Sequence, residues 1–152
     1  MFFTRKTVAT PAMTPDRLAE ALDGLPEVFV LDDAGNYHYR DDVGIAVQLG
    51  YNDDSTLLEA HFMGVPVVQE LMPRALDMVN QWNLAARPVR AYLGRVSEEL
   101  PFQAPHLRAI LTTGVGVTDG QLVSWLRRCD EGIGAFNDHL RQFFSQVGTP
   151  GN

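Results

Sequence analysis

Residues 70–88 read ELMPRALDMVNQWNLAARP, and the fold turns on how this stretch is taken. Met72, Ala75, Leu76, Val79, Trp82 and Ala86 recur at helical spacing, which predicts a helix with one buried stripe lying across a sheet. Pro73 has no amide hydrogen and fits only the first turn, so the regular helix is expected to begin near Met72. Pro88 pushes the residue before it out of the α region and should stop the helix. Asn80 and Asn83 are poor helix formers, each costing up to ~0.7 kcal/mol against alanine. Set three residues apart beside the stripe, around Trp82, they admit two readings. One is structural, amides that satisfy backbone groups at a sheet edge. The other is recognition, amides that position a partner.

Ahead of this helix, Thr14 is an N-cap candidate with Pro15 at the first helical position, and Leu18, Ala21, Leu22 and Leu25 line one face of a short helix. Gly24 and Pro26 end it. Val28–Leu31 reads as a buried strand. Tyr37 and Tyr39 alternate with His38 and Arg40. Ile45, Val47 and Leu49 alternate again, and Leu57–Met63 follows. Turn chemistry at residues 32–36, 41–42 and 52–55 separates these runs into an antiparallel meander.

Past the helix, residues 89–96 read as a strand with Val89, Ala91 and Leu93 on one face. The alternation of Leu100, Phe102 and Ala104 shifts phase at Leu107, Ala109 and Leu111. Pro105 and His106 lie at the break, which predicts a bulge or kink on an edge strand. Thr118 and Gln121 form a capping box ahead of the strongest helical periodicity in the chain. Gly132 and Gly134 inside that helix suggest a bend or a close approach. Phe143 and Phe144 cannot both face inward, and one of them, with Trp125, is a candidate for a partner or self-association surface. The order reads α-β-β-β-α-β-β-α, an α+β class with a mostly antiparallel sheet of about five strands. Residues 1–13 read as a flexible arm, 14–147 as one domain and 148–152 as a flexible tail.

The chain has 152 residues, 45% of them hydrophobic, enough for one packed core. A formal charge of −7 and a pI near 4.9 offer no basic excess for nucleic acid or an anionic membrane. Arg87, Arg90, Arg95 and Arg108 sit among ordinary surface positions. One cysteine, Cys129, rules out an intrachain disulfide and fits a reducing cytoplasm. Nothing resembles a secretory signal or a membrane span.

No catalytic motif is present. His38, His61, His106 and His139 are not paired at metal-ligand spacing. His38 and His61 are expected on neighbouring strands, where a shared metal is conceivable, but the plain reading is ordinary strand positions. The Asp-Asp pairs at 32–33, 41–42 and 53–54 read as turns, because the calcium-loop spacing is missing. Cys129 falls on an apolar stripe, as a structural thiol does. Gly114-x-Gly116 is too little for a dinucleotide fingerprint. No metal, cofactor or catalytic residue is assigned.

Val79-Asn80-Gln81-Trp82-Asn83, then Arg87-Pro88 and Ala91-Tyr92, then Gly116-Val117-Thr118-Asp119-Gly120-Gln121-Leu122, together resemble the YbjN-like domain of bacterial sensory transduction regulators, in its actinobacterial type. The resemblance runs from the first helix to the last. It implies a fold like that of type III secretion chaperones, with helices on one side of an antiparallel sheet. It also implies a non-enzymatic, chaperone-like or regulatory module that binds a protein partner, dimerises, and carries no family catalytic residues. On this reading Trp82 is an anchor, Asn80 and Asn83 are positioning amides, and Tyr92 belongs to the partner surface. The alternative is a small-molecule or nucleotide sensor with a pocket between sheet and helices.

Overall fold

The computed structural model describes residues 9–40, 46–51, 56–85 and 89–147. The elements run α1 (Pro15–Asp23), β1 (Val30–Leu31), β2 (Tyr37–Arg40), β3 (Ala46–Tyr51), β4 (Leu57–Met63), a 3-10 turn (Gln69–Leu71), α2 (Met72–Leu84), β5 (Arg90–Arg95), β6 (Gln103–Thr112) and α3 (Asp119–Val147). One sheet holds all six strands in the order β1-β2-β3-β4-β6-β5, with every neighbouring pair antiparallel. This is the expected α+β class, with four strands before α2 instead of three.

Residues 28–31, read as a buried strand, do supply a strand, but a shorter and exposed one. Only Val30 and Leu31 pair, and both are exposed, as is Val28. β1 is a short outer strand on the flank of β2, so its apolar run reflects β propensity and not burial. β6 is corrected too. It is an inner strand, paired without a break to β5 through Pro105 and His106. The proline is tolerated because β4 ends at Met63. Gly64 N–H donates to Pro105 O at 2.8 Å, and the return bond that Pro105 cannot give falls beyond the β4 ladder.

The core lies between one face of the sheet and the helices. Leu58, Ala60 and Phe62 of β4 are buried at alternate positions, matched in register by Leu111, Ala109 and Leu107. The rings of Phe62 and Phe136 of α3 meet edge to face with centroids 6.1 Å apart. α3 buries Leu122, Leu126, Cys129, Phe136, Leu140 and Phe143, with Ile133, Trp125 and Phe144 half-buried beside them. Its start is the predicted capping box: Gln121 N–H donates to Thr118 Oγ1 at 3.1 Å, and Thr118 N–H to Gln121 Oε1 at 2.9 Å. Gly132 marks a close approach. A Cβ there would stand 2.4 Å from Val89 Cγ2, whereas Gly134 faces open space.

α1 begins where Thr14 caps it and Pro15 opens it. The Arg17 guanidinium reaches Asp119 at 2.5 Å and the carbonyls of Ala12 and Val117 at 2.7 Å, which locks α1 to the start of α3. Nothing in the sequence pattern marked this clamp. α2 buries Ala75, Met78, Val79 and Trp82, an unbroken i, i+3, i+4, i+7 stripe. Leu76, expected inside, is 49% exposed, and Met78 takes its place. The helix ends at Leu84. Pro88, Ile45 and the turns at 41–42 and 52–55 lie outside the described residues.

Candidate functional site

The helices cover one side of the sheet, so side chains of alternate parity on the central strands emerge on the other. Register fixes which ones meet. One row sets His61 of β4 beside Arg108 of β6 and Arg90 of β5, while the backbone of β3 runs between His61 and His38 of β2. The adjacent row carries Met63, His106 and Tyr92. His38 and His61 are therefore separated by β3 and are not neighbours, as the sequence had suggested. His38 instead bonds to Asp32 at 2.6 Å. The Asp32 carboxylate also accepts Asn36 N–H at 2.8 Å and Ala34 N–H at 2.9 Å. These bonds, the Asn36 one foremost, lower its pKa to about 2. This is turn chemistry, as read from Asp-Asp-Ala-Gly-Asn.

Three rings form the centre of the open face. His61 Nε2 lies 2.9 Å from His106 Nδ1, and the ring centroids are 5.0 Å apart with planes within 10°. The nitrogen gap fills most of the centroid spacing, so the imidazoles meet edge to edge through one N–H···N bond. Tyr92 runs nearly parallel to His106, centroids 5.0 Å apart, and its hydroxyl lies 3.3 Å from His61 Nε2. His106 is only 4% exposed, and its Nε2 is buried without a hydrogen-bond partner. Burial lowers the pKa of both histidines, and the charge of His61 adds to the effect on His106. Burial also raises that of Tyr92. All three are thus held neutral near pH 7. Beside them Arg108 pairs with Glu59 at 2.6 Å, and Arg90, its register partner, donates to Asn83 O at 3.0 Å.

The remaining residues singled out from the sequence sit at the β5 edge. Trp82 is 3% exposed, its ring meets that of Phe136 edge to face with centroids 4.9 Å apart, and its Nε1–H donates to Val89 O at 3.0 Å. Asn83 accepts from Ala91 N–H at 2.9 Å and donates to Ala91 O at 2.8 Å. Its amide thus occupies the outer edge of β5 where a further strand would bind. Asn80 is exposed on α2. Trp82 and Asn83 are brought together with β5, Tyr92 joins the histidines on the open face, and Asn80 reaches neither.

Sequence reasoning missed His106, Glu59 and Arg108 as neighbours of Tyr92. A signal existed: Leu107, Ala109 and Leu111 read as the inner face, which places 106 and 108 outside. The expected kink at Pro105 hid that parity.

Among the described residues no three histidine, cysteine, aspartate or glutamate side chains gather to hold a metal. Cys129 is buried, its thiol pushed up to about 12 mainly by desolvation, which makes it inert as a nucleophile. Among the described residues no helix is long and apolar enough to cross a membrane. A second surface feature is a groove of about 550 Å³ lined by Val67, Met72, Pro73, Pro101 and Phe102, among others.

Comparison with known proteins agrees with this picture. The model of the YbjN family, described as "Putative bacterial sensory transduction regulator", matches residues 14–144. The fold is similar to the crystal structure of YbjN from E. coli, described as a putative transcription regulator, at a TM-score of 0.70 and 18% identity, covering 88% of this chain and 94% of that one. It is also similar to a chain of the ExsC–ExsE complex, at a TM-score of 0.50 and 20% identity, covering 78% and 86%. A search of curated proteins returns no match.

Proposed function

The chain belongs to the YbjN family, and on that premise we propose that it is a non-enzymatic, chaperone-like regulatory module that binds a protein partner, working in the cytoplasm as a homodimer. One observation carries the reading. The sheet presents, on the side its helices leave open, a pre-ordered aromatic group in which Tyr92, 40% exposed, lies along a buried histidine. A rigid, amphipathic tyrosine with a polar tip is the kind of side chain that anchors protein interfaces at low entropic cost. Likeness to a chain crystallised in the ExsC–ExsE complex supports a protein partner.

Tyr92 touches the partner in this account, whereas Asn80, exposed on α2, lies away from that surface. Trp82 and Asn83 act from behind, by holding β5 in place. A second copy is assigned to the groove at Phe102, which is 49% exposed, with Val65, Val68 and Leu100 exposed close by in sequence. The test is capture from the native host with wild-type protein and with Tyr92→Glu as bait, alongside light scattering of wild type and Phe102→Glu. The reading requires a defined partner that Tyr92→Glu loses at unchanged melting temperature, and a dimer that Phe102→Glu splits. Capture indifferent to Tyr92, or a wild-type monomer, counts against the corresponding half.

A further inference from the structure

α2 and α3 face each other across a groove of about 290 Å³ on a different part of the molecule. Its apolar lining is Met78 and Phe143, both buried. Arg74, Asp77 and Gln81 line it from α2, and Gln142 and Gln146 from α3. The α2 residues Arg74, Asp77, Met78 and Gln81 repeat at i, i+3, i+4, i+7. The α3 residues, counted from His139, repeat at the same spacing, so two matched stripes oppose each other. Facing helices ordinarily fill such a seam with apolar side chains. Here only the two central positions are apolar. Among the described residues no ion pair joins Arg74 to Asp77, and none of these polar side chains bonds across the seam.

His139 adds an independent observation. It lines the same groove, its ring packs 6.2 Å from Trp82, and its Nε2 is buried with no hydrogen-bond partner. A buried polar atom left unpaired is costly, and a native protein normally satisfies it from somewhere.

We propose that the α2–α3 groove is a binding site for a free L-α-amino acid with a polar side chain. A guanidinium and a carboxylate one helical turn apart match the two opposite charges such a molecule carries on neighbouring atoms. Three glutamine amides, each both donor and acceptor, suit a polar side chain, and Met78 and Phe143 suit its methylenes. The volume of about 290 Å³ stands at the small end of ligand pockets, which fits a metabolite of this size. The site is separate from Tyr92, so its occupancy and partner capture are independent observables.

The test is a thermal-shift screen of the full chain against the twenty L-amino acids at millimolar concentration, followed by calorimetric titration of any that stabilise it. The matching amines without a carboxylate serve as controls, and Arg74→Gln and Asp77→Asn as variants. Both variant positions are exposed, so ligand-free melting should be unchanged. The proposal requires a saturable upward shift with at least one polar L-amino acid, a dissociation constant weakened roughly tenfold or more in each variant, and no shift with the amine. Absence of any shift, binding equal in wild type and variants, or equal binding of the amine overturns it. Partner capture by Asp77→Asn at wild-type level would show that the two sites fail or succeed separately.

Discussion

Trp82 offers the sharpest stability test of the fold. Its side chain is 3% exposed, packs edge to face on Phe136 with centroids 4.9 Å apart, and gives its indole proton to Val89 O, on a residue itself 2% exposed. Trp82→Ala removes a large buried ring and leaves a cavity, a loss of about 3–5 kcal/mol. Trp82→Phe keeps an aromatic ring against Phe136 but strips Val89 O of that donor, a loss of about 1–3 kcal/mol. With a urea slope on the order of 2 kcal/mol per molar, the alanine variant should unfold about 2 M earlier than wild type and the phenylalanine variant about 1 M earlier. Circular dichroism is the proper readout, because removing one of two tryptophans alters the fluorescence baseline. The reasoning is refuted if Trp82→Ala costs less than about 1 kcal/mol, or if Trp82→Phe matches wild type.

Asn83→Ala should cost about 1–3 kcal/mol by leaving both backbone groups of Ala91 without their present partner, and hydrogen exchange should rise at Ala91 more than at residues of β6. Gly132→Ala should destabilise by about 1–3 kcal/mol, since the new Cβ would stand 2.4 Å from Val89 Cγ2. Gly134→Ala, facing open space on the same helix, should stabilise by about 0.5–1 kcal/mol, and thermal melts of the pair check both signs. His61 and His106 have lowered pKa values, so the unfolded chain takes up protons near the ordinary 6.5 before the folded one does. Their contribution is complete above 6.5 and is lost as pH falls from there through the lowered folded values. Urea midpoints should therefore drop from pH 7 to pH 5, and the drop should shrink in His106→Gln. The raised carboxyl of Asp130 acts with the opposite sign as pH rises above 3.8, which is why the difference between wild type and variant is the quantity to read.

Much of the architecture was legible because local signals agreed with one another. Thr14-Pro15 and Thr118 with Gln121 announced helix starts that the structure repeats bond for bond. Leu57–Met63 forms the strand expected there, and its burial alternates because one face packs against the helices and the other does not. The errors fall where a run of apolar residues meets no core, as at Val28–Leu31, and where a proline suggests an edge that topology places inside, as at Pro105. Helical periodicity put Leu76 in the α2 stripe, whereas Met78, which completes the 75, 78, 79, 82 spacing, is the residue buried. The open face was the least legible part. It joins residues 59, 61, 92, 106 and 108, which come from three strands, and strand order is not written in any local pattern. The Arg17 clamp to Asp119 is unreadable for the same reason, since 102 residues separate its ends.

The central claim is that this chain acts by holding another protein against the open side of its sheet. Quantitative capture from the native host, comparing wild-type bait with Tyr92→Glu at matched melting temperature, tests it most directly. The account predicts one protein recovered in fixed ratio by the wild type and lost from the variant. Equal recovery on both baits, or turnover of a small substrate by the isolated chain, would contradict it.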